Sequence, residues 1–298
     1  MAPSVPKAVV RNSAKLIRRL ILNADIPWET QRSRMNIAMA SARPPKTVSV
    51  TSHEIAGVLV ERVEPVAGKS KGTVVHIHGG GFTVGSPASC RMWAAAVSAT
   101  LHLTVEVPDY SLAPEHPFPE GLDQVSAVLD QVINDHGAKR VVVSGDSAGA
   151  NLAISALQRR VLAQLEMPAG LIMLSPWLDI SDDRLSDPGL VRRDPLLTPT
   201  WLEACANAYA PGRATDPEVS PLYGSMDGLP PILIQGGTDD ILAPDANRFV
   251  AGMEPGHVSL SLANGLWHDF VLQVGMLAAA DQAMEITTAF LAEQLALH

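Results

Sequence analysis

The sequence predicts an α/β fold, a mostly parallel central sheet with helices on both faces and an added helical cap. Three observations predict it. Strand-like apolar runs alternate with helical periodicity from about residue 73 onward, which favours parallel pairing through helical crossovers. One such unit is complete at its centre: the β-branched run Val141-Val142-Val143, the break Gly145-Asp146-Ser147-Ala148-Gly149, then Leu152, Ala153, Ala156, Leu157, Val161 and Leu162 at helical spacing. Finally, the Asp- and Pro-rich stretch between Pro176 and Gly228 holds one clear helix and more chain than a plain crossover needs.

Taken in order, Lys7 to Asn23 sets Val9, Val10, Leu16, Ile17, Leu20 and Ile21 against Lys7, Arg11, Lys15 and Arg18, an amphipathic helix. A basic amphipathic helix can lie on a membrane, but its usual partner is its own protein. The face of Val9, Leu16, Ile17 and Leu20 is expected to pack against the inserted segment. Arg32 to Ala42 is a second helix, and Arg43-Pro44-Pro45 marks entry to the core. Thr47 to Thr51 and Ile55 to Val63 read as an antiparallel edge pair. Thr73 to His78, Leu103 to Val107, Leu171 to Leu174, Pro231 to Gln235 and Val258 to Leu262 read as strands. Cys90 to Leu101, Leu122 to Asp135 and Ala278 to Leu297 read as helices, with Thr200 to Tyr209 as the helix of the insertion. The expected division is 1–45 as N-terminal cap helices, 46–178 and 229–298 as catalytic core, and 179–228 as inserted cap.

Bulk properties exclude several classes. A chain of 298 residues with 47% hydrophobic and 18% charged content can bury a large core. A net charge of -9 argues against nucleic acid or an anionic membrane surface as partner. Two cysteines, Cys90 and Cys205, make no disulfide framework and are expected reduced and packed. No run reaches the length of a membrane span, and Arg18 and Arg19 interrupt the only N-terminal apolar stretch, so the expected location is cytoplasmic.

Chemistry concentrates at Ser147. Strand, Gly-x-Ser-x-Gly turn and helix is the context that holds a serine out over a helix N-terminus, where a developing oxyanion is stabilised. The pattern alone is weak, because Gly68-Lys69-Ser70-Lys71-Gly72 also matches it, but leads into a strand and reads as a solvated turn. A serine hydroxyl needs a base. Among later histidines, His257 falls at the wrong end of the last strand and His298 is the final residue. His268 falls in the loop after that strand, on the catalytic edge. The acid that orients it is expected after Pro231 to Gln235, where Asp239 fits the position and Asp240 is the alternative. Asp245 reads as a helix cap, and Asp182, Asp183 and Asp187 as solvated. Backbone N–H donors for the oxyanion are expected from Ala148 and from the glycine run at Gly79-Gly80-Gly81. His76-Ile77-His78 places two histidines on one strand face, without the further ligands a metal site needs.

His78-Gly79-Gly80-Gly81, Asp109-Tyr110-Ser111-Leu112-Ala113-Pro114-Glu115, Gly145-Asp146-Ser147-Ala148-Gly149 and Ser175-Pro176-Trp177-Leu178-Asp179 together resemble the bacterial hormone-sensitive-lipase-type esterases. The resemblance runs from about Thr73 to His268. It implies an α/β-hydrolase fold, no cofactor or metal, and hydrolysis of short-chain carboxylic esters through an acyl-enzyme. By position it implies Ser147 as nucleophile, Asp239 as acid, His268 as base, and Gly80, Gly81 and Ala148 as oxyanion donors. The implied partners are a small-molecule ester or lactone and, as the one macromolecule admitted, a second copy of the chain. Two departures stand out. Ser111 replaces a usual Arg, which removes an expected ion pair, and Asp240 stands where many members have Pro. The nearest relatives implied are acetyl esterases and monoterpene lactone hydrolases. A non-catalytic receptor on the same fold is the alternative from another class, and the presence of His268 argues against it.

Overall fold

The computed structural model describes residues 5–40, 43–181 and 187–297; Asp182, Asp183 and His298 lie outside the described residues. Eight strands form one sheet in the order β1-β2-β4-β3-β5-β6-β7-β8. The strands are β1 (Val48–Ile55), β2 (Val58–Pro65), β3 (Thr73–Ile77), β4 (Thr104–Pro108), β5 (Val141–Asp146), β6 (Gly170–Leu174), β7 (Ile232–Gly237) and β8 (Val258–Ala263). β1 and β2 form the expected antiparallel edge, and β2 also runs antiparallel to β4. From β4 to β8 every neighbour is parallel. The hairpin turns at Ala56 (φ 51°) and Gly57 (φ 78°), two left-handed residues in succession. That geometry matches the twist of the strands it joins, and it extends β1 to Ile55 rather than starting β2 there.

Successive residues of the central strands divide between two apolar clusters. Val75, Val143, Met173 and Ile234 lie in one, Val74, Val142, Ile172 and Leu233 in the other. Strands buried on both faces account for the Val-, Ile- and Leu-rich composition of β3 to β7. The helices that cover them are α3 (Pro87–Leu101), α4 (Glu120–His136), α5 (Ala148–Leu162), α8 (Ala243–Ala251) and α9 (Ala278–Gln294). Two helices were not expected: α8 and the short α6 (Pro188–Arg193). Each starts with proline in its first turn, a position where the ring's fixed φ suits the helix although the residue reads as a breaker. Among the described residues, no helix is long and apolar enough to cross a membrane.

Before the sheet come α1 (Lys7–Leu20) and α2 (Trp28–Met39), and the inserted stretch carries α6 and α7 (Pro199–Tyr209). α1 does not turn its expected face inward. Val10 and Ala14 are buried and Ile17 packs on the core, whereas Val9, Leu16 and Leu20 are 52%, 56% and 45% exposed. Its orientation follows its arginines. Arg11 donates to the carbonyl of Arg193, and Arg18 Nη1 donates to the carbonyl of Asp194 at 3.2 Å. α2 meets the insertion through a buried bond from Trp201 Nε1 to Gln31 Oε1 at 2.9 Å. The two segments that fall outside the sheet-and-helix rhythm are thus joined to one another by polar contacts.

Candidate active site

Ser147 stands between β5 and α5 with φ 53° and ψ -118°. A non-glycine residue there is strained by about 1–3 kcal/mol and persists only where its surroundings impose it. They do so here. A Cβ on Gly145 would lie 2.5 Å from the Gly149 carbonyl carbon, and one on Gly149 would lie 2.0 Å from the Ile77 carbonyl oxygen. Both positions must be glycine for α5 to close onto β5 and the end of β3. The serine backbone is clamped as well, its N–H donating to Leu174 O at 2.8 Å and its carbonyl accepting from Trp177 N at 3.2 Å.

The glycine run after β3 is fixed from below by Asp146. Its Oδ2 accepts from Gly79 N at 2.9 Å, while Oδ1 faces His76 Nε2 at 3.0 Å. His76 Nδ1 meets Ser144 Oγ at 3.0 Å, and its ring packs on Trp93. Gly80 carries φ 118°, and its carbonyl accepts from Thr83 N and Val84 N. The N–H groups of Gly80 and Gly81 find no backbone acceptor among the described residues. Ala148 N is at the first position of α5, where the helix offers no acceptor. His78, the other histidine of the His-x-His pair, is used differently from His76. It donates from Nδ1 to Gly79 O at 2.8 Å and stacks on Tyr110, and burial holds its pKa below the ordinary value. The second Gly-x-Ser-x-Gly match is a turn: Ser70 Oγ donates to Gly72 O and accepts from Thr104 N.

His268 arrives from the loop after β8. Its Nε2 lies 2.9 Å from Ser147 Oγ, and its Nδ1 lies 3.1 and 3.0 Å from the two oxygens of Asp240. The carboxylate behind the histidine is therefore Asp240, which corrects the expectation of Asp239. The reason lies in how β7 ends. Beyond the ends of both β7 and β8, Asp239 N donates to Leu266 O at 2.8 Å, and the chain turns there, with Asp240 N donating to Gly237 O. Successive side chains at this strand end point apart. Asp240 goes inward and is buried, and its Oδ1 also accepts from Leu242 N at 2.8 Å. Asp239 goes toward the cap, where its oxygens lie 3.2 Å from Arg11 Nη1 and 3.4 Å from Arg193 Nε. Asp245, also weighed as a cap, is buried at the start of α8 and accepts from Leu178 N and Asp179 N. Asp187 is exposed and caps α6 through Gly189 N.

Two further acids surround the histidine that reading the sequence did not single out. Asp194, buried in the insertion, accepts from Leu196 N, Leu197 N and Ile241 N, tying the insertion to the loop that carries Asp240. Its burial, with Asp240 nearby, pushes its carboxyl up to about 6. Asp269 Oδ2 lies 3.1 Å from His268 Nε2. The only signal for it in the sequence is that it follows His268. Where the usual Arg is replaced, Ser111 and Gln124 exchange two hydrogen bonds, Ser111 N to Oε1 at 2.7 Å and Nε2 to Ser111 Oγ at 2.9 Å.

A serine on a strained strand-to-helix turn, a histidine and a carboxylate in hydrogen-bonded series, and free N–H groups beside them define a serine hydrolase of the α/β class. Residues 74–272 match the family model described as the α/β-hydrolase fold. The chain is 35% identical to an esterase of Acinetobacter venetianus RAG-1 over 85% of this chain and 88% of the other. It is 33% identical to an acetyl-hydrolase of Streptomyces hygroscopicus over 78% of this chain and 79% of the other. The crystal structure of EstE7, a hormone-sensitive-lipase homologue from a metagenome library, superposes with a TM-score of 0.85 at 28% identity, covering 96% of this chain and 98% of that one. The chain belongs to the bacterial hormone-sensitive-lipase-type esterases of the α/β-hydrolase fold. It is a serine carboxylesterase.

Burial alone would lower the His268 pKa. The carboxylates of Asp240 and Asp269 outweigh it, and the value lies well above the ordinary one. With His268 as the base proposed below, only the neutral imidazole would accept the serine proton, so activity would fall off below the raised pKa and rise as pH passes through it. A kcat/KM profile on a simple acetate ester should accordingly rise with a midpoint above the ordinary histidine value of about 6.5. A midpoint at or below that value would contradict the arrangement of carboxylates around the ring.

Proposed function

We propose that this carboxylesterase cleaves short-chain carboxylic esters through an acyl-enzyme, with Ser147 as nucleophile, His268 as general base and acid, and Asp240 as the orienting acid. The hydrogen-bonded series from Ser147 Oγ through His268 to Asp240 carries the reading. His268 Nε2 takes the Ser147 proton as Oγ adds to the ester carbonyl carbon, and the carbonyl π electrons move to oxygen. The N–H groups of Gly80, Gly81 and Ala148 bind that oxyanion. As the carbonyl re-forms, the ester C–O bond breaks and Nε2 protonates the departing alcohol. Water then repeats the sequence on the acyl-enzyme, releasing the acid and restoring Ser147. Asp240 keeps Nδ1 protonated and stabilises the imidazolium. No step calls for a cofactor.

Residues 1–45 and 179–228 act together as the cap that limits the acyl group. A Cβ on Gly81 would lie 2.7 Å from Cys205 Sγ and 2.9 Å from Trp201 Cη2, so α7 of the insertion rests directly on the glycine run. Phe82 stacks on Tyr209 with ring centroids 3.8 Å apart. Both cysteines are free and buried. Large aromatic side chains crowded against the glycine run favour a small acyl group, in keeping with the acetyl-hydrolase among the relatives. Each methylene accepted or refused is worth only about 1–3 kcal/mol, so selectivity should be graded. With one alcohol and acyl groups from acetyl to octanoyl, kcat/KM should be highest for the shortest members and decline steadily. A profile rising toward octanoyl would contradict the proposed cap.

The assignment of roles is tested on one acetate ester. Ser147→Ala and Asp240→Asn should each lower kcat on the order of 10³-fold or more, whereas Asp239→Asn should cost far less. Should Asp239→Asn prove the more damaging of the two aspartate changes, the role would revert to Asp239. Circular dichroism of each variant separates lost chemistry from lost fold.

A further inference from the structure

Among the described residues, Asp269 is the one carboxyl at the reacting nitrogen that the cleavage steps leave unused. Its Oδ2 lies 3.1 Å from His268 Nε2, the same atom that faces Ser147 Oγ at 2.9 Å. Its Oδ1 is buried and has no hydrogen-bond partner among the described residues. The backbone of Asp269 is left-handed, with φ 53° and ψ 25°. Its N–H donates at 3.0 Å to the hydroxyl of Ser175, itself at φ 43°. These two left-handed residues are clasped together beside the reacting atoms. Their effect is to fix one carboxyl at the mouth of the site, its side chain 17% exposed.

The position of that carboxyl follows from the reaction. His268 Nε2 hands its proton to the departing alcohol, so the alcohol oxygen must come within about 3 Å of it. Asp269 Oδ2 is at a similar distance from the same nitrogen. Two atoms that each lie about 3 Å from one nitrogen can be no more than roughly 6 Å apart. A hydroxyl on the carbon next to the alcohol carbon, carried on a rotatable bond, is long enough to span that gap to Asp269. A carboxyl accepts such a bond whether ionised or not, which matters because burial raises its pKa to about 7.

We propose that Asp269 reads the alcohol half of the substrate and favours esters of polyols, in which a hydroxyl stands beside the ester oxygen, over esters of plain alkanols. The proposal rests on the reading of Ser147 and His268 as the ester-cleaving pair. In the complex the substrate hydroxyl donates to Asp269 Oδ2 where it stands beside Nε2. A plain alkanol ester has no donor to offer that oxygen.

The test compares propyl acetate with hydroxyethyl acetate, which differ by a methyl replaced by a hydroxyl and pass through the same acetyl-enzyme. kcat/KM for each is measured by titrating released acid, about one pH unit above the Asp269 value, on the full-length protein and on Asp269→Asn and Asp269→Gly. Both replacements tolerate the left-handed backbone. Because both esters meet the same histidine, the ratio of the two kcat/KM values cancels any change in the base. The hydroxyethyl-to-propyl ratio should exceed one in the wild type and fall roughly tenfold or more in Asp269→Gly. Asp269→Asn, a neutral acceptor, should fall between. Should Asp269→Gly fail to fold, a severalfold fall in Asp269→Asn alone supports the proposal. A ratio unchanged within about twofold across the folded variants overturns it. No hydrolysis of either ester by the wild type would instead sink the esterase reading on which it rests.

Discussion

The tight passage from β5 into α5 is the constraint on which the site depends. Ser147 is held at φ 53° because β5, α5 and the end of β3 meet with no room for a side chain at Gly145 or Gly149. The same closeness puts the start of α5 beside the glycine run, so that the serine, its helix N-terminus and the free glycine N–H groups share one small volume. Asp146 couples the pieces from beneath. It ends β5, and its carboxyl holds Gly79 in place and is itself braced by the buried His76. Strain at one residue is thus offset by packing and hydrogen bonds across three strands, and the donors are oriented before any substrate arrives.

Around His268 the governing effect is charge. Asp240 and Asp269 approach opposite ring nitrogens, Asp194 accepts from the backbone that follows Asp240, and Asp239 faces outward to Arg11 and Arg193. Adjacent residues 239 and 240 thereby serve different structures. One carboxylate is buried against the histidine, and the other is a partly exposed contact to the cap. Surface ion pairs of the second kind contribute little stability singly. Here they bring α1, the insertion and the loop that carries Asp240 to one point.

Much of this was legible in the sequence, for identifiable reasons. The buried strands announced themselves because parallel strands covered on both faces are continuous apolar runs, and the elbow because two glycines and a serine fall between strand and helix. His268 could be placed because, of the histidines after Ser147, it is the one that follows the C-terminal end of a strand. Position after β7 pointed to Asp239, but the local turn closed by Asp240 N to Gly237 O brings the next carboxyl, one residue on, toward His268. The buried face of α1 was misjudged for a related reason. Its wheel carries more apolar surface than one contact can cover, and the contacts of Arg11 and Arg18 decide which part turns inward. Asp269 carried no pattern at all, since its placement depends on a left-handed backbone that sequence periodicity does not encode.

The central claim is that Ser147 alone among the serines is activated by His268. Its most direct test is covalent labelling with a small dialkyl p-nitrophenyl phosphate, followed by mass spectrometry of the digested protein. The reagent places a phosphoryl group on a serine that a neighbouring base has activated, and water removes it slowly. The account predicts one equivalent of label, all of it on the peptide containing Ser147, and none on the peptide containing Ser70. Label on any other residue with Ser147 unmodified, or no label while the ester is still being hydrolysed, would contradict it.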